Sequence, residues 1–135
     1  MIAEDYVSYE VAKLLEKKGF PMIEQLFMYV NKNNVFMTHN YACLKLSLEE
    51  YKNFDEVYIP TITHQMAMKW LRKKHKLHIS VAPYLNKDGE ITWVWEIIHI
   101  ESAAVIIADS FYGDDFDSCE EAVEAALKYC LTKLI

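Results

Sequence analysis

Residues 77–100, LHISVAPYLNKDGEITWVWEIIHI, indicate the fold of this 135-residue chain more clearly than any other stretch. Segments 77–85 and 90–100 are rich in β-branched and aromatic residues and flank the turn-forming residues 86–89, which predicts a β-hairpin. The second segment alternates an apolar set with a mixed set: Ile91, Trp93, Trp95 and Ile97 against Thr92, Val94, Glu96 and Ile98. This alternation puts the two sets on opposite faces and is typical of a central strand.

Helical patterns lie on both sides of this hairpin. They cover residues 8–18, a short segment 47–53, a segment from Thr61 or Thr63 to about His75, and a last helix from Ser118 onwards. Ser8 and Ser118 are suited to cap their helices, and Glu121 completes a capping box with Ser118. Gly19 ends the first helix.

Further strands are predicted at 24–30 and 34–38, which would form a second hairpin, at 42–46, and at 103–108, which would extend the main sheet. No linker rich in Gly, Pro or Ser interrupts the chain. The element order therefore predicts an α+β fold, with an antiparallel sheet packed against three or four helices, in a single compact domain over residues 1–135.

Composition favours a cytoplasmic protein. No apolar run approaches the roughly 20 residues that a membrane-spanning helix needs, and the start of the chain lacks the features of a secretory signal. Cys119 and Cys130 are 11 residues apart in one predicted helix, which separates them by about 16 Å. A disulfide needs Cα atoms within about 7 Å, so we expect reduced thiols. The lack of a long apolar run predicts no membrane association.

The strongest charge pattern lies in residues 61–78, which contain five of the 14 Lys and Arg residues and none of the 20 Asp and Glu residues. We call Lys69, Arg72, Lys73, Lys74, His75 and Lys76 the basic cluster. Cations near a helix C-terminus offset the helix dipole, which is a purely structural explanation. As a binding surface the cluster fits an acidic protein, or the phosphates of a nucleic acid. The formal net charge of −6 disfavours the nucleic acid.

Other candidate residues have ordinary explanations. Cys119 lies in the first turn of the last helix, where a thiolate is favoured, but acidic neighbours oppose it. The acidic residues there lack the pattern of a calcium loop; they are Asp109, Asp114, Asp115, Asp117, Glu120 and Glu121. The histidines lack the spacing of a zinc site. The sequence therefore predicts no catalytic residue, no metal site and no cofactor.

Three segments carry a resemblance to a known group of proteins: VSYEVAKLLEKKGF (7–20), PTITHQMAMKWLRKKH (60–75) and SCEEAVEAAL (118–127). They resemble an uncharacterised family of small proteins from gut Bacteroides species and their phages or mobile elements. The Pro-Thr and Lys-Trp-Leu-Arg motifs of the middle segment are the most specific part. The resemblance implies a phage or mobile-element context but no reaction, and the family tends to carry an acid where this chain has Lys73.

The leading hypothesis is a non-enzymatic cytoplasmic interaction or accessory protein that uses the basic cluster. Its expected partner is another protein with an acidic surface, or a second copy of the chain in a homodimer. The alternative is a nucleic-acid-binding accessory domain that uses residues 69–76. An enzyme that uses Cys119 or the acidic residues is the third hypothesis.

Overall fold

The computed structural model describes residues 5–21, 28–38, 58–102, 105–111 and 115–135. Along this part of the chain, single helices are separated by groups of three antiparallel strands, which confirms the predicted α+β class. The strand predicted at 42–46 and the helix predicted at 47–53 lie outside the described residues.

The chain divides into two compact units, Met1–Thr63 and His64–Ile135. In the described residues, each unit contains a three-stranded antiparallel sheet, whereas the sequence pattern predicts a single sheet. The single domain over residues 1–135 stays a prediction.

The first unit begins with helix α1 (Tyr9–Lys17), close to the predicted segment 8–18. As predicted, Ser8 caps it: the hydroxyl oxygen accepts a hydrogen bond from the backbone N–H of Val11, at 3.3 Å. At the other end the N–H of Phe20 donates to the carbonyl of Leu15, and Gly19 adopts a left-handed backbone with φ of 93°. Glycine suits this position because it has no Cβ to clash there.

The sheet of the first unit has the order β2–β1–β3, with β1 at Met28–Asn31, β2 at Phe36–Thr38 and β3 at Tyr58–Pro60. β1 and β2 confirm the predicted hairpin over its described part. The Asn31 side chain closes the turn by accepting hydrogen bonds from the N–H groups of Asn33 and Val35, at 2.9 and 3.0 Å.

The second unit has the element order helix, three strands, helix. Its elements are α2 (His64–His75), β4 (Leu77–Leu85), β5 (Ile91–His99), β6 (Val105–Asp109), α3 (Cys119–Tyr129) and a π-helical turn (Cys130–Leu134). The sheet order is β4–β5–β6, so β5 is the central strand, as its alternating pattern predicts. The extension of the sheet predicted at 103–108 is confirmed as β6.

One face of this sheet is covered by helices. Ile79 pairs with Ile97 and Val81 with Trp95 across β4 and β5, so all four side chains lie on the same face. Ile79, Trp95 and Ile97 are buried, and the Trp95 ring packs on Tyr129 of α3 with centroids 5.2 Å apart. Each aliphatic side chain buried in this way contributes about 1.5–3 kcal/mol to folding.

Helix α3 confirms the predicted capping box. The Ser118 hydroxyl accepts from the N–H of Glu121 at 3.1 Å, as the capping box requires. The Glu121 carboxylate accepts from the N–H of Asp117 at 3.2 Å, one residue before the cap, so the second half of the box is shifted by one residue. The apolar spacing of this helix predicts a buried stripe of Val123, Ala126, Leu127, Cys130 and Leu134. The first four are buried, whereas Leu134 is half-buried. Within the described ranges, no helix is long and apolar enough to cross a bilayer.

Candidate functional site

Helix α2 presents the basic cluster on its outer side and at its C-terminal end. The buried residues of the helix are His64, Ala67 and Leu71. Lys69 and Lys73 each lie two residues from Leu71, about 200° around the helix axis. Both are exposed, so their ammonium groups are available to a partner.

The remaining residues of the cluster occupy the last turn of α2 and the residue after it. Lys74 is exposed, whereas Arg72, His75 and Lys76 are half-buried. Four of these basic groups, from Arg72 to His75, fall in the last turn, and the first turn contains no acid. Cations at this end are favoured by the partial negative charge of the helix C-terminus.

The chain turns sharply at Lys76, between α2 and β4. Lys76 has a φ of 59°, a left-handed conformation that is uncommon for a residue with a side chain. Its carbonyl accepts a hydrogen bond from the N–H of Ile100 at 2.9 Å, which fixes the end of the helix to the end of β5. The His75 ring lies edge-on to the Trp70 ring, with centroids 4.8 Å apart. The cluster therefore has a defined geometry at its base.

Among the described residues, the acidic side chain of Glu101 approaches the cluster. The Glu101 carboxylate lies 3.9 Å from the Lys76 ammonium, and the two side chains are 66% and 44% exposed. Ion pairs this exposed contribute little to stability because water screens them. The pair lowers the positive potential near Lys76, so Lys69, Lys73 and Lys74 are the more available charges.

The histidines have different environments. His64 is buried, and its Nε2 lies 2.9 Å from a carboxylate oxygen of Glu124, so this contact joins α2 to α3. His99 accepts a hydrogen bond through Nδ1 from the N–H of Ser102, at 3.2 Å. In the described ranges, no three His, Cys, Asp or Glu side chains are grouped in a way that could hold a metal ion.

The cysteines and acids of the α3 region also have structural surroundings. Cys119 and Cys130 are free thiols, in agreement with their predicted separation along one helix. Cys119 is half-buried, whereas Cys130 is fully buried, and burial raises the pKa of Cys130 to about 12. Asp109 accepts a hydrogen bond from the N–H of Phe111 at 3.1 Å. Asp114 lies outside the described residues.

The open face of the second sheet has a pocket of about 310 Å³. Glu96 and Asp109 face it from neighbouring strands, directly opposite each other in the register of β5 and β6. Ser80, opposite Glu96 on β4, lines it as well. A pair of carboxylates beside a hydroxyl can hold a small cationic or hydrogen-bonding group, but it provides only part of a metal ligand set.

A second exposed surface was missed by the sequence analysis. Edge strand β6 exposes three consecutive large apolar residues, Val105 and Ile106 at 51% each and Ile107 at 43%. The signal was present in the sequence as a run of β-branched residues without alternation. As a pattern, that run predicts only an extension of the sheet.

Comparisons with known proteins add no functional assignment: no family model matches the chain, and neither the curated proteins nor the solved structures contain a match.

Proposed function

We propose that this protein is a non-enzymatic accessory protein that binds an acidic surface of another protein through the basic cluster. The observation that carries the proposal is the position of Lys69 and Lys73, which are exposed on the side of α2 opposite its buried residues. The exposed Lys74 and the half-buried Arg72 extend the same positive surface. The proposal includes a cytoplasmic location, which rests on the lack of a long apolar run and on the expected reduced thiols. It also includes a phage or mobile-element context, which rests on the resemblance of segments 7–20, 60–75 and 118–127.

Charge distribution favours a protein partner over a nucleic acid. The whole chain has a formal net charge of −6, and the Glu101 carboxylate lies at the base of the cluster. An extended polyanion would meet these negative charges over many phosphates, whereas a protein can place a few carboxylates against the exposed lysines alone. We therefore keep nucleic-acid binding as the alternative use of the same residues.

The test compares two triple variants of equal net charge. The first reverses exposed cluster residues (Lys69→Glu, Lys73→Glu, Lys74→Glu), and the second reverses exposed lysines elsewhere (Lys17→Glu, Lys32→Glu, Lys87→Glu). Fluorescence anisotropy measures binding of a labelled Glu-rich peptide and of labelled single- and double-stranded DNA and RNA, at about 50 and 200 mM salt.

We expect the Glu-rich peptide to bind the wild-type protein. The cluster variant should lose about tenfold or more in affinity, because each exposed charge pair contributes roughly 0.5 kcal/mol and reversal makes each contact repulsive. The control variant should bind nearly as well as the wild type. Equal losses in both variants would mean that net charge alone drives binding. Steeply salt-dependent binding of DNA or RNA, without peptide binding, would replace the proposal by the nucleic-acid alternative.

A further inference from the structure

Strand β6 has a surface that is unusual for the edge of a sheet. Among the described residues, β6 pairs with β5 on one side and with no strand on the other. Edge strands in natural proteins are commonly short, charged or covered, since an exposed apolar edge recruits other strands. β6 instead exposes Val105, Ile106 and Ile107.

The pattern of exposure indicates what kind of element would cover this edge. Successive side chains of a strand point to opposite faces of the sheet. Val105 pairs with His99 and Ile106 with Ile98, so these two side chains lie on opposite faces, and both are exposed. In the part of the chain that the structure describes, the edge is therefore uncovered on both faces. A helix packed on one face would bury only alternate residues. A further strand added beside β6 would shield side chains on both faces, as in recognition by β-strand addition.

A bulge in β6 limits how much strand can be added. Ile98 pairs with Ile106 and Ile97 pairs with Ala108, so Ile107 is an extra residue between the two pairs. Bulges twist an edge and interrupt regular pairing. A long regular strand therefore fits poorly, and the added strand should be short.

We propose that β6 pairs antiparallel with β6 of a second copy of this chain, across a two-fold axis. If the axis passes through Ile107, the position opposite Val105 is Asp109 and the position opposite Ile106 is Ala108. If it passes through Ile106, Val105 lies opposite Ile107. In both registers the two Asp109 carboxylates lie at opposite ends of the paired segment, so like charges are kept apart. Ile107 meets its own copy in the first register, and Ile106 meets its own copy in the second.

A second copy explains the surface without requiring any other molecule. Two-fold homodimers use the same patch on both subunits, so a self-complementary strand is sufficient. The contact is small, because β6 has five residues and stable interfaces bury about 1,200 Å² or more. We therefore expect a reversible dimer whose population rises with protein concentration. This inference does not depend on the basic cluster or on its partner.

Sedimentation velocity of the full chain, from low to high micromolar concentration, tests the proposal. We expect the wild type to shift from the mass of one chain towards twice that mass. Ile106→Lys should remain monomeric, because a lysine on the edge is left without favourable pairing. The matched control is Ile91→Lys, which alters a residue 59% exposed at the other end of β5 and should dimerise like the wild type.

Hydrogen exchange of the wild-type protein provides a second test that does not depend on any variant folding correctly. The amide groups of residues 105–109 should exchange more slowly as concentration rises, whereas those near Ile91 should not change. A monomer at all concentrations, a dimer that persists in Ile106→Lys, or concentration-independent exchange of β6 would each overturn the proposal. Binding of a synthetic β-strand peptide to a protein that stays monomeric would assign the edge to a foreign strand, and would also overturn it.

Discussion

Cys130 lies at the start of the π-helical turn, where its side chain is fully buried. Burial disfavours the charged thiolate because it removes the water that would solvate it, and raises the pKa from 9.0 to about 12. The folded protein thus keeps a proton on Cys130 at pH values where the unfolded chain releases it.

At the residue scale we predict that Cys130 resists alkylation in the folded protein. Iodoacetamide at pH 9.0, the ordinary pKa of the group, should label the half-buried Cys119 and leave Cys130 unlabelled, because the buried thiol is both neutral and inaccessible. In urea both should react. Peptide mapping by mass spectrometry measures each site, and labelling of Cys130 at equal rates with and without urea would contradict the prediction.

The same pKa shift determines how stability depends on pH. Between pH 9.0 and about 12 the unfolded chain binds fewer protons at this site than the folded chain does. The free energy of unfolding contributed by Cys130 therefore falls as the pH rises through this window. Cys130→Ala removes this contribution, so the free energy of unfolding of the variant should fall less steeply with pH, by a difference equivalent to at most one bound proton. Urea denaturation of both proteins at several pH values measures the two slopes.

Individual residues also show where sequence reasoning reaches its limit. Burial of Cys130 follows from the spacing of apolar residues along one helix, so it could be predicted. The contact between His64 and Glu124 joins residues that are 60 positions apart. They lie on α2 and α3, which are separated along the chain by the three strands of the second sheet. No local pattern marks such a pair.

At the element scale, the junction of α2 and β4 depends on the backbone of Lys76. A left-handed conformation costs a residue with a Cβ about 1–2 kcal/mol relative to the right-handed helix. Glycine avoids that cost, although it also raises the entropy of the unfolded chain. The ion pair of Lys76 with Glu101 is exposed and contributes little.

We therefore predict opposite effects for two neighbouring glycine substitutions. Lys76→Gly should increase the free energy of unfolding by about 0.5–1 kcal/mol, since it removes backbone strain. Lys74→Gly, in the last turn of α2, should decrease it by about 0.5 kcal/mol, because glycine loses more backbone entropy than lysine when the helix forms. Both variants lose one positive charge, so charge is matched. Urea denaturation measures them, and equal losses of stability would contradict the assigned role of Lys76.

Elements with a strong period were predictable, and short or irregular ones were not. The alternation around Trp93 and Trp95 correctly identified β5 as a central strand. β3 has only three residues and ends at Pro60, which is too short for a period to appear. The π-helical turn after Tyr129 follows a normal helical pattern in sequence, so the pattern does not predict its wider turn.

At the scale of the whole molecule, the division at residues 63 and 64 has no sequence signature. Domain boundaries are commonly expected at segments rich in Gly, Pro or polar residues, and Thr63 and His64 lie inside a segment that predicts only a helix start. The second unit has buried residues on each of its major layers: Leu71 on α2, Ile79 and Ile97 on the sheet, and Leu127 on α3.

We predict that a fragment of residues 64–135 unfolds cooperatively on its own, because both helices and all three strands of that sheet are contained in it. Its stability should be low, since domains of this size bury only about 60% of the surface of the unfolded chain. Circular dichroism during thermal unfolding measures the transition. A fragment without a cooperative transition would instead favour the single domain that the sequence predicts. Fragment 1–63 is the complementary control.

One residue, Lys76, separates helix α2 from strand β4. A connection this short has no slack, and its carbonyl is tied to Ile100 as well. Force applied to the lysines of α2 is therefore transmitted directly to the hydrogen-bonded ladder of β4 and β5, without a loop to absorb it. The connection between the helix and the sheet is therefore rigid. A partner bound to α2 would transmit any displacement of the helix to β4 and β5, which are the most extensively paired of the described strands.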